Sequence, residues 1–192
     1  MRPIYITGIP GSGKTSLAQA IAPRLGYALL TMHDLVERID PDSLSRGDMA
    51  DENKMRAAYV QAIADYPDGR VVVDGWPRTP GQAALLPDNA QVFLLNCRTD
   101  IAVDRLLRRG RADDRADVVI RRVTEQADLL GVSYAEGWAI QLSGWDQAIN
   151  TSLKTAEQVA AGVMAYLRGK KRQAFDHDST VLEQYRQGAF DE

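Results

Sequence analysis

Cysteine occurs once and histidine twice in the 192 residues. That scarcity rules out an internal disulfide and leaves no cluster at zinc-ligand spacing around His33, His177 or Cys97. Cys97 ends the apolar run Val92-Phe93-Leu94-Leu95-Asn96-Cys97, which predicts an inert buried thiol. No run of 18 apolar residues is present, so a membrane-spanning helix is not expected. A glycine-rich motif begins at Gly8, too close to the first residue for a secretory leader, and a reducing cytoplasm is the expected setting. Aromatic residues make up only 7% and the net charge is −3, so no nucleic-acid groove of interleaved bases and rings is expected. No exposed apolar helix face stands out, and a monomer is the default expectation.

The first feature with chemical content is Ile4-Tyr5-Ile6-Thr7 running into Gly8-Ile9-Pro10-Gly11-Ser12-Gly13-Lys14-Thr15. A strand followed by G-x-x-x-x-G-K-[ST] is a phosphate-binding loop. Its glycines let backbone N–H groups wrap an anion, and the following helix aims its positive end at the same place. Leu17, Ile21 and Leu25 then recur at helical spacing. This pattern predicts a nucleoside triphosphate site, with Lys14 reaching the β- and γ-phosphates and Thr15 ligating Mg²⁺.

Apolar runs at 4–7, 28–31, 71–73, 91–96 and 147–150 lack polar alternation, as strands buried on both faces do. Helical stretches separate them, so the order reads as an α/β fold with about five parallel strands flanked by helices. Pro23 predicts a kink or early end in the first helix. Thr155-Ala156-Glu157-Gln158 predicts a capping box ahead of the last core helix. Two stretches interrupt the alternation: a helical insert over 34–69, with one piece around 53–64, and a short arginine-rich loop over 109–115. The division expected is a core of 1–33, 70–108 and 116–168 and a polar tail over 169–192, with a loose helix around 180–186.

Val71-Val72-Val73-Asp74-Gly75-Trp76-Pro77-Arg78-Thr79, with Gln82 after it, is more specific. A strand ending in Asp74 sets a carboxylate beside the phosphate loop, suited to Mg²⁺. The Gly75–Pro77 turn throws Arg78 out from the sheet's C-terminal edge. Arg105, Arg108, Arg109, Arg111, Arg115, Arg121 and Arg122 then crowd one segment. Guanidinium forks suit phosphate oxygens, and the interposed Asp104, Asp113, Asp114 and Asp117 argue against a long nucleic-acid track.

With these three motifs in this order, residues 1–168 resemble the nucleoside monophosphate kinases, most closely adenylate kinase with a minimal lid. The resemblance implies a P-loop NTPase fold and ATP and Mg²⁺ as cofactors. Phosphoryl transfer to a nucleoside monophosphate would follow, giving ADP and a diphosphate. It implies that Gly8, Pro10, Gly11, Ser12, Gly13, Lys14, Thr15 and Ser16 hold the donor phosphates, and that Thr15 with Asp74 serves the metal. Arg105 would stack on the donor adenine, whose pocket Asn150 and Thr151 would close. Asp34, Arg38, Gly75, Arg78 and Gln82 would line the acceptor site, with Arg78 on the acceptor phosphate and Gln82 on its base. Lys14, Arg78, Arg109, Arg111 and Arg122 would be catalytic, the last two also touching the acceptor, while Asp113 or Asp114 orients the arginines.

The acceptor element departs from the family's [ST]-G-D-x-x-R. Thr31-Met32-His33-Asp34-Leu35-Val36-Glu37 puts His33 at the glycine and Glu37 at the arginine, where a carboxylate would repel phosphate. Arg38 or Arg46 substituting, or Arg78 acting alone, are the alternatives. AMP is the first-choice acceptor, followed by a pyrimidine or deoxynucleoside monophosphate. A kinase for another small molecule and a non-catalytic nucleotide-binding module are the competing readings.

Overall fold

The computed structural model describes residues 1–46, 48–111, 114–129 and 147–169. Five strands, β1 (Ile4–Gly8), β2 (Ala28–Thr31), β3 (Val71–Asp74), β4 (Gln91–Asn96) and β5 (Gln147–Asn150), form one sheet in the order β2-β3-β1-β4-β5, every pair parallel. The predicted strands are all present, and β1 and β3 each run one residue further, to Gly8 and Asp74. Helix α1 (Lys14–Leu25) joins β1 to β2. Helices α2 (Met32–Ile39), α3 (Pro41–Arg46) and α4 (Glu52–Ile63) fill the path to β3, and the single turn α5 (Pro80–Ala83) follows it. Helices α6 (Thr99–Arg109) and α7 (Ala116–Leu129) follow β4, and α8 (Ala156–Leu167) follows β5.

Strand residues alternate between two apolar layers, which is why no polar alternation appears in the sequence. Ile4, Ile6, Val72, Phe93, Leu95 and Ile149 pack against Leu17 and Ile21 of α1 and Val159 and Val163 of α8. Tyr5, Val71, Val73 and Val92 face the other way, against Leu35, Met55, Tyr59 and Trp76. On that same side Leu94 meets Ala102 and Leu106 of α6 and Val119 and Val123 of α7, with Cys97 buried among them. Tyr59 ties the insert to the sheet, its hydroxyl 2.7 Å from that of Tyr5 and its ring stacked on Trp76 at 4.3 Å.

Pro23 is accommodated late in α1, which runs two residues further and stops at Gly26 in the left-handed region. The capping box at Thr155 and Gln158 forms as expected. The tail beyond residue 169, with its expected helix around 180–186, lies outside the described residues. Among the described residues no helix is long and apolar enough to cross a membrane.

The strand order brings the C-terminal ends of β1 and β3 together at the centre of the sheet, while the chain leaving β3 crosses to β4 on the far side of β1. Such a switch point is where α/β sheets open a crevice. Gly8 makes the turn into it possible: its φ is +139°, and a Cβ there would lie 2.0 Å from the Leu95 carbonyl oxygen. Gly8→Ala is expected to cost about 1–3 kcal/mol through strain, a fall in Tm of roughly 2–12 °C by calorimetry; an unchanged Tm would contradict this account of the turn.

Candidate active site

The loop between β1 and α1 is braced from behind before any ligand is considered. Thr151 Oγ1 donates to the Ser12 carbonyl at 2.8 Å, and the Thr151 carbonyl accepts from Arg105 Nη2 at 2.8 Å. Arg105 also reaches the Gly11 carbonyl at 3.5 Å, so one guanidinium links α6, the loop after β5 and the phosphate loop. Lys14 folds back over its own loop and donates to the carbonyls of Gly8 and Ile9, both at 2.8 Å. Burial pushes its pKa down to about 7; Arg78, Arg122 and Arg109 add to the effect, and Asp74 opposes it. An ammonium so disfavoured is a ready partner for an incoming polyphosphate.

Asp74 ends β3 opposite Ile6 of β1, so the pairing register itself sets its carboxylate beside the start of α1. Thr15 Oγ1 donates to Asp74 Oδ2 at 2.6 Å, while Asp74 Oδ1 is buried with no hydrogen-bond partner among the described residues. Ser12 Oγ is left in the same condition. A hydroxyl and a half-satisfied carboxylate are hard oxygen donors, and they fit a small divalent cation that keeps waters and phosphate oxygens for its remaining positions. Among the described residues no group of three or more His, Cys, Asp or Glu could enclose a metal by itself.

One turn later Arg78 Nε donates to the Gly75 carbonyl at 2.9 Å, laying the guanidinium across a glycine whose added Cβ would be 3.1 Å from Nη2. Burial lowers the Arg78 pKa, Asp74 works against that shift, and Arg122 adds to it. Behind Arg78, Gln82 Oε1 accepts from the Arg78 backbone N–H at 2.8 Å, and Gln82 Nε2 donates to Glu52 Oε2 at 2.8 Å. The other oxygen of Glu52 accepts from Thr79 Oγ1 at 2.7 Å. Glu52, on α4, escaped the sequence reading. An acid in the first turn of a helix is ordinary, and nothing local signals a partner 30 residues away.

On the opposite wall Arg109 forms a two-pronged pair with Asp114, at 2.6 and 2.9 Å, and the Arg111 backbone N–H donates to the same carboxylate at 3.1 Å. Burial alone would raise the Asp114 pKa, but the bonds from Arg109 and Arg111 outweigh it and the carboxyl stays below its ordinary value. Asp113, the other aspartate expected to orient the arginines, lies outside the described residues.

These walls enclose one crevice of about 530 Å³. Lys14, Arg78, Arg105, Arg109, Arg111 and Arg122 all line it, with Pro10, Gly11, Gly13, Thr15, Ser16, Asp74 and Gly75. Gly8, Ser12, Asn150 and Thr151 stand behind this surface as supports. Gln82, expected on the acceptor base, is 3% exposed with both ends of its amide engaged, and it does not form part of the wall. Asp34 and Arg38 lie on the exposed side of α2, where Arg38 Nε bonds the Asp34 carbonyl. Gln19, His33, Val36, Asp48, Met49, Ala50, Leu106, Glu125 and Gln126 complete the wall.

A family model described as an AAA domain matches residues 4–128, well over half of the chain. An adenylate kinase of Thermus thermophilus is 28% identical over 191 residues, covering 85% of this chain and 96% of that protein. One from Mycobacteroides abscessus is 30% identical over 144 residues, 65% of this chain and 80% of its own length. The human adenylate kinase isoenzyme 5 matches at 29% over 141 residues, 62% of this chain and 25% of that longer protein. The chain belongs to the adenylate kinase family of nucleoside monophosphate kinases. It is therefore a phosphotransferase.

For a kinase of this family, two substitutions separate charge from scaffold. Lys14→Met should abolish turnover while Tm stays within a few degrees, because relief of a buried ammonium offsets two lost hydrogen bonds; surviving turnover would remove Lys14 from the reaction. Asp114→Asn should weaken the hold on Arg109 and Arg111 and lower kcat by about 10–100-fold, read in a coupled assay beside a thermal melt.

Proposed function

We propose that this kinase transfers the γ-phosphoryl group of ATP to a nucleoside monophosphate, AMP first among them, giving ADP and a nucleoside diphosphate. The observation carrying this reading is that Lys14, at the start of α1, and Arg78, in the loop after β3, open into the same crevice rather than into separate cavities. Donor and acceptor can then meet end to end, with the transferring group between them. Such a transfer asks little covalent help of the protein; it needs alignment and cancellation of charge on the phosphoryl oxygens.

In this reading the loop amides, Lys14 and Ser16 take the donor's β- and γ-phosphates, and Arg105 flanks its adenine, backed by the 150–151 segment. Thr15 and Asp74 would hold Mg²⁺, which would supply positive charge to offset that of the phosphates. Arg109, Arg111 and Arg122 spread positive charge over the transferring group, and the 109–115 segment and the 34–69 insert close over it to exclude water.

The acceptor phosphate falls to Arg78. Glu37, expected to repel it, is exposed and does not line the crevice, which supports Arg78 as the phosphate's partner. Arg38 and Arg46 are no substitutes, since neither forms part of the wall and Arg46 pairs with Asp48 at 2.9 Å. His33 does line it, at the position where the family has glycine. Relatives named adenylate kinases support AMP as the acceptor.

The deciding experiment measures coupled-assay rates with ATP across AMP, CMP, UMP, GMP and the deoxynucleoside monophosphates, with and without Mg²⁺. AMP should give the highest kcat/KM, and transfer to none of them would favour a different small-molecule acceptor. Arg78→Ala should lower kcat/KM for the acceptor by roughly 10²–10³-fold. An effect confined to the KM for ATP would show that Arg78 serves the donor instead.

A further inference from the structure

Gln126 sits on α7 four residues after Arg122, one turn further along the same face. It is 5% exposed, its Nε2 has no hydrogen-bond partner among the described residues, and yet the residue lines the crevice. A buried amide N–H without a partner costs free energy, and one that lines a ligand crevice is placed to recover that cost from a bound molecule. Among the described residues three other buried side-chain atoms share this condition. Trp76 Nε1 lies in the core away from the crevice, whereas Ser12 Oγ and Asp74 Oδ1 lie at the positions proposed for phosphate and metal. Gln126 Nε2 is another such atom, on the opposite wall.

The surroundings of this part of α7 favour the acceptor. Arg121 donates to Asp48 Oδ1 at 3.0 Å and to the Arg46 carbonyl at 3.3 Å, so this part of α7 abuts the 34–69 insert. Asp48, Met49 and Ala50 of that insert line the crevice together with Gln126, and on the donor side Arg105 lines it too while bonding, like Thr151, to the phosphate loop. A neutral amide adds little to phosphate binding where Arg78 and Arg122 already stand. It suits an uncharged acceptor atom, where hydrogen-bond geometry discriminates.

We propose that Gln126 is an acceptor-binding residue, donating its Nε2–H to a sugar hydroxyl oxygen, base carbonyl or ring nitrogen of the acceptor nucleotide. Because Gln82 is spent on Glu52 and Arg78, Gln126 takes over part of the reading of the acceptor's nucleoside. The inference rests on the phosphoryl-transfer reading given above.

The test compares Gln126→Leu and Gln126→Glu with wild type, taking KM for acceptor and for ATP separately, beside a ligand-free melt. Leu keeps the volume and removes the polar group; Glu keeps an oxygen and removes the donor. Both should raise the acceptor KM by roughly 5–10-fold with the ATP KM unchanged, and Gln126→Leu should melt no lower than wild type. If Gln126→Leu fails to fold, Gln126→Asn, which retracts the amide by one methylene, should show the same selective rise. Wild-type turnover with an unmoved acceptor KM in these variants overturns the inference alone. An equal rise in both KM values, or a lowered Tm with KM unmoved, assigns Gln126 to the scaffold and also overturns it. A wild type that phosphorylates no nucleoside monophosphate overturns the proposed function, and this inference with it.

Discussion

Two cations that would repel each other, Lys14 and Arg78, share a half-buried crevice with one carboxylate, Asp74, acting on both. Burial depresses the pKa of each, Arg78 adds to the effect on Lys14 and Arg122 to that on Arg78, and Asp74 opposes both shifts. That arrangement is unfavourable in isolation, since a desolvated charge is costly unless matched. It becomes favourable when several phosphate charges enter. The rest of the structure serves to hold these groups in place until then: the β1–β3 register, the glycine turn, and the braces behind the phosphate loop.

Carboxylates act as struts throughout the site. Asp114 orients Arg109 and the Arg111 backbone, Glu52 fixes Thr79 and Gln82 and through Gln82 the backbone of Arg78, and Asp48 joins the insert to Arg121 of α7. The first two are shielded or half-buried and hold their geometry. The Asp48–Arg121 pair is exposed, at 39% and 41%, and pairs of that kind contribute little net stability. A weak link between insert and α7 suits the proposed reaction, in which the crevice would admit two nucleotides and then shut water out.

Much of this was legible in the residues. Five uninterrupted apolar runs became five parallel strands, because burial on both faces removes polar alternation. The phosphate loop and Asp74-Gly75-Trp76-Pro77-Arg78 carry their geometry locally, in glycines, a proline and the strand ends that precede them. The acceptor side was harder to read. Gln82 and Glu37 were assigned by their place in a motif, yet Gln82 is sealed beneath Arg78 and Glu37 turns to solvent. Their directions depend on how α2 and α4 pack, which no local spacing encodes. Glu52 and Gln126 carried no local signal, since one is an ordinary first-turn acid and the other an ordinary helical amide.

The sequence by itself determined the sheet, the phosphate loop, the carboxylate at the end of β3 and the supply of arginines. Each follows from short-range rules: periodicity, turn stereochemistry and the charge needed to meet phosphate. Only the tertiary structure decided which of those arginines share a crevice, which polar groups are consumed as struts, and that Gln126 is left with an unused donor facing the acceptor side. Those outcomes come from contacts between residues tens of positions apart, where packing of the insert and α7 against the sheet, and not any local preference, sets the direction of each side chain.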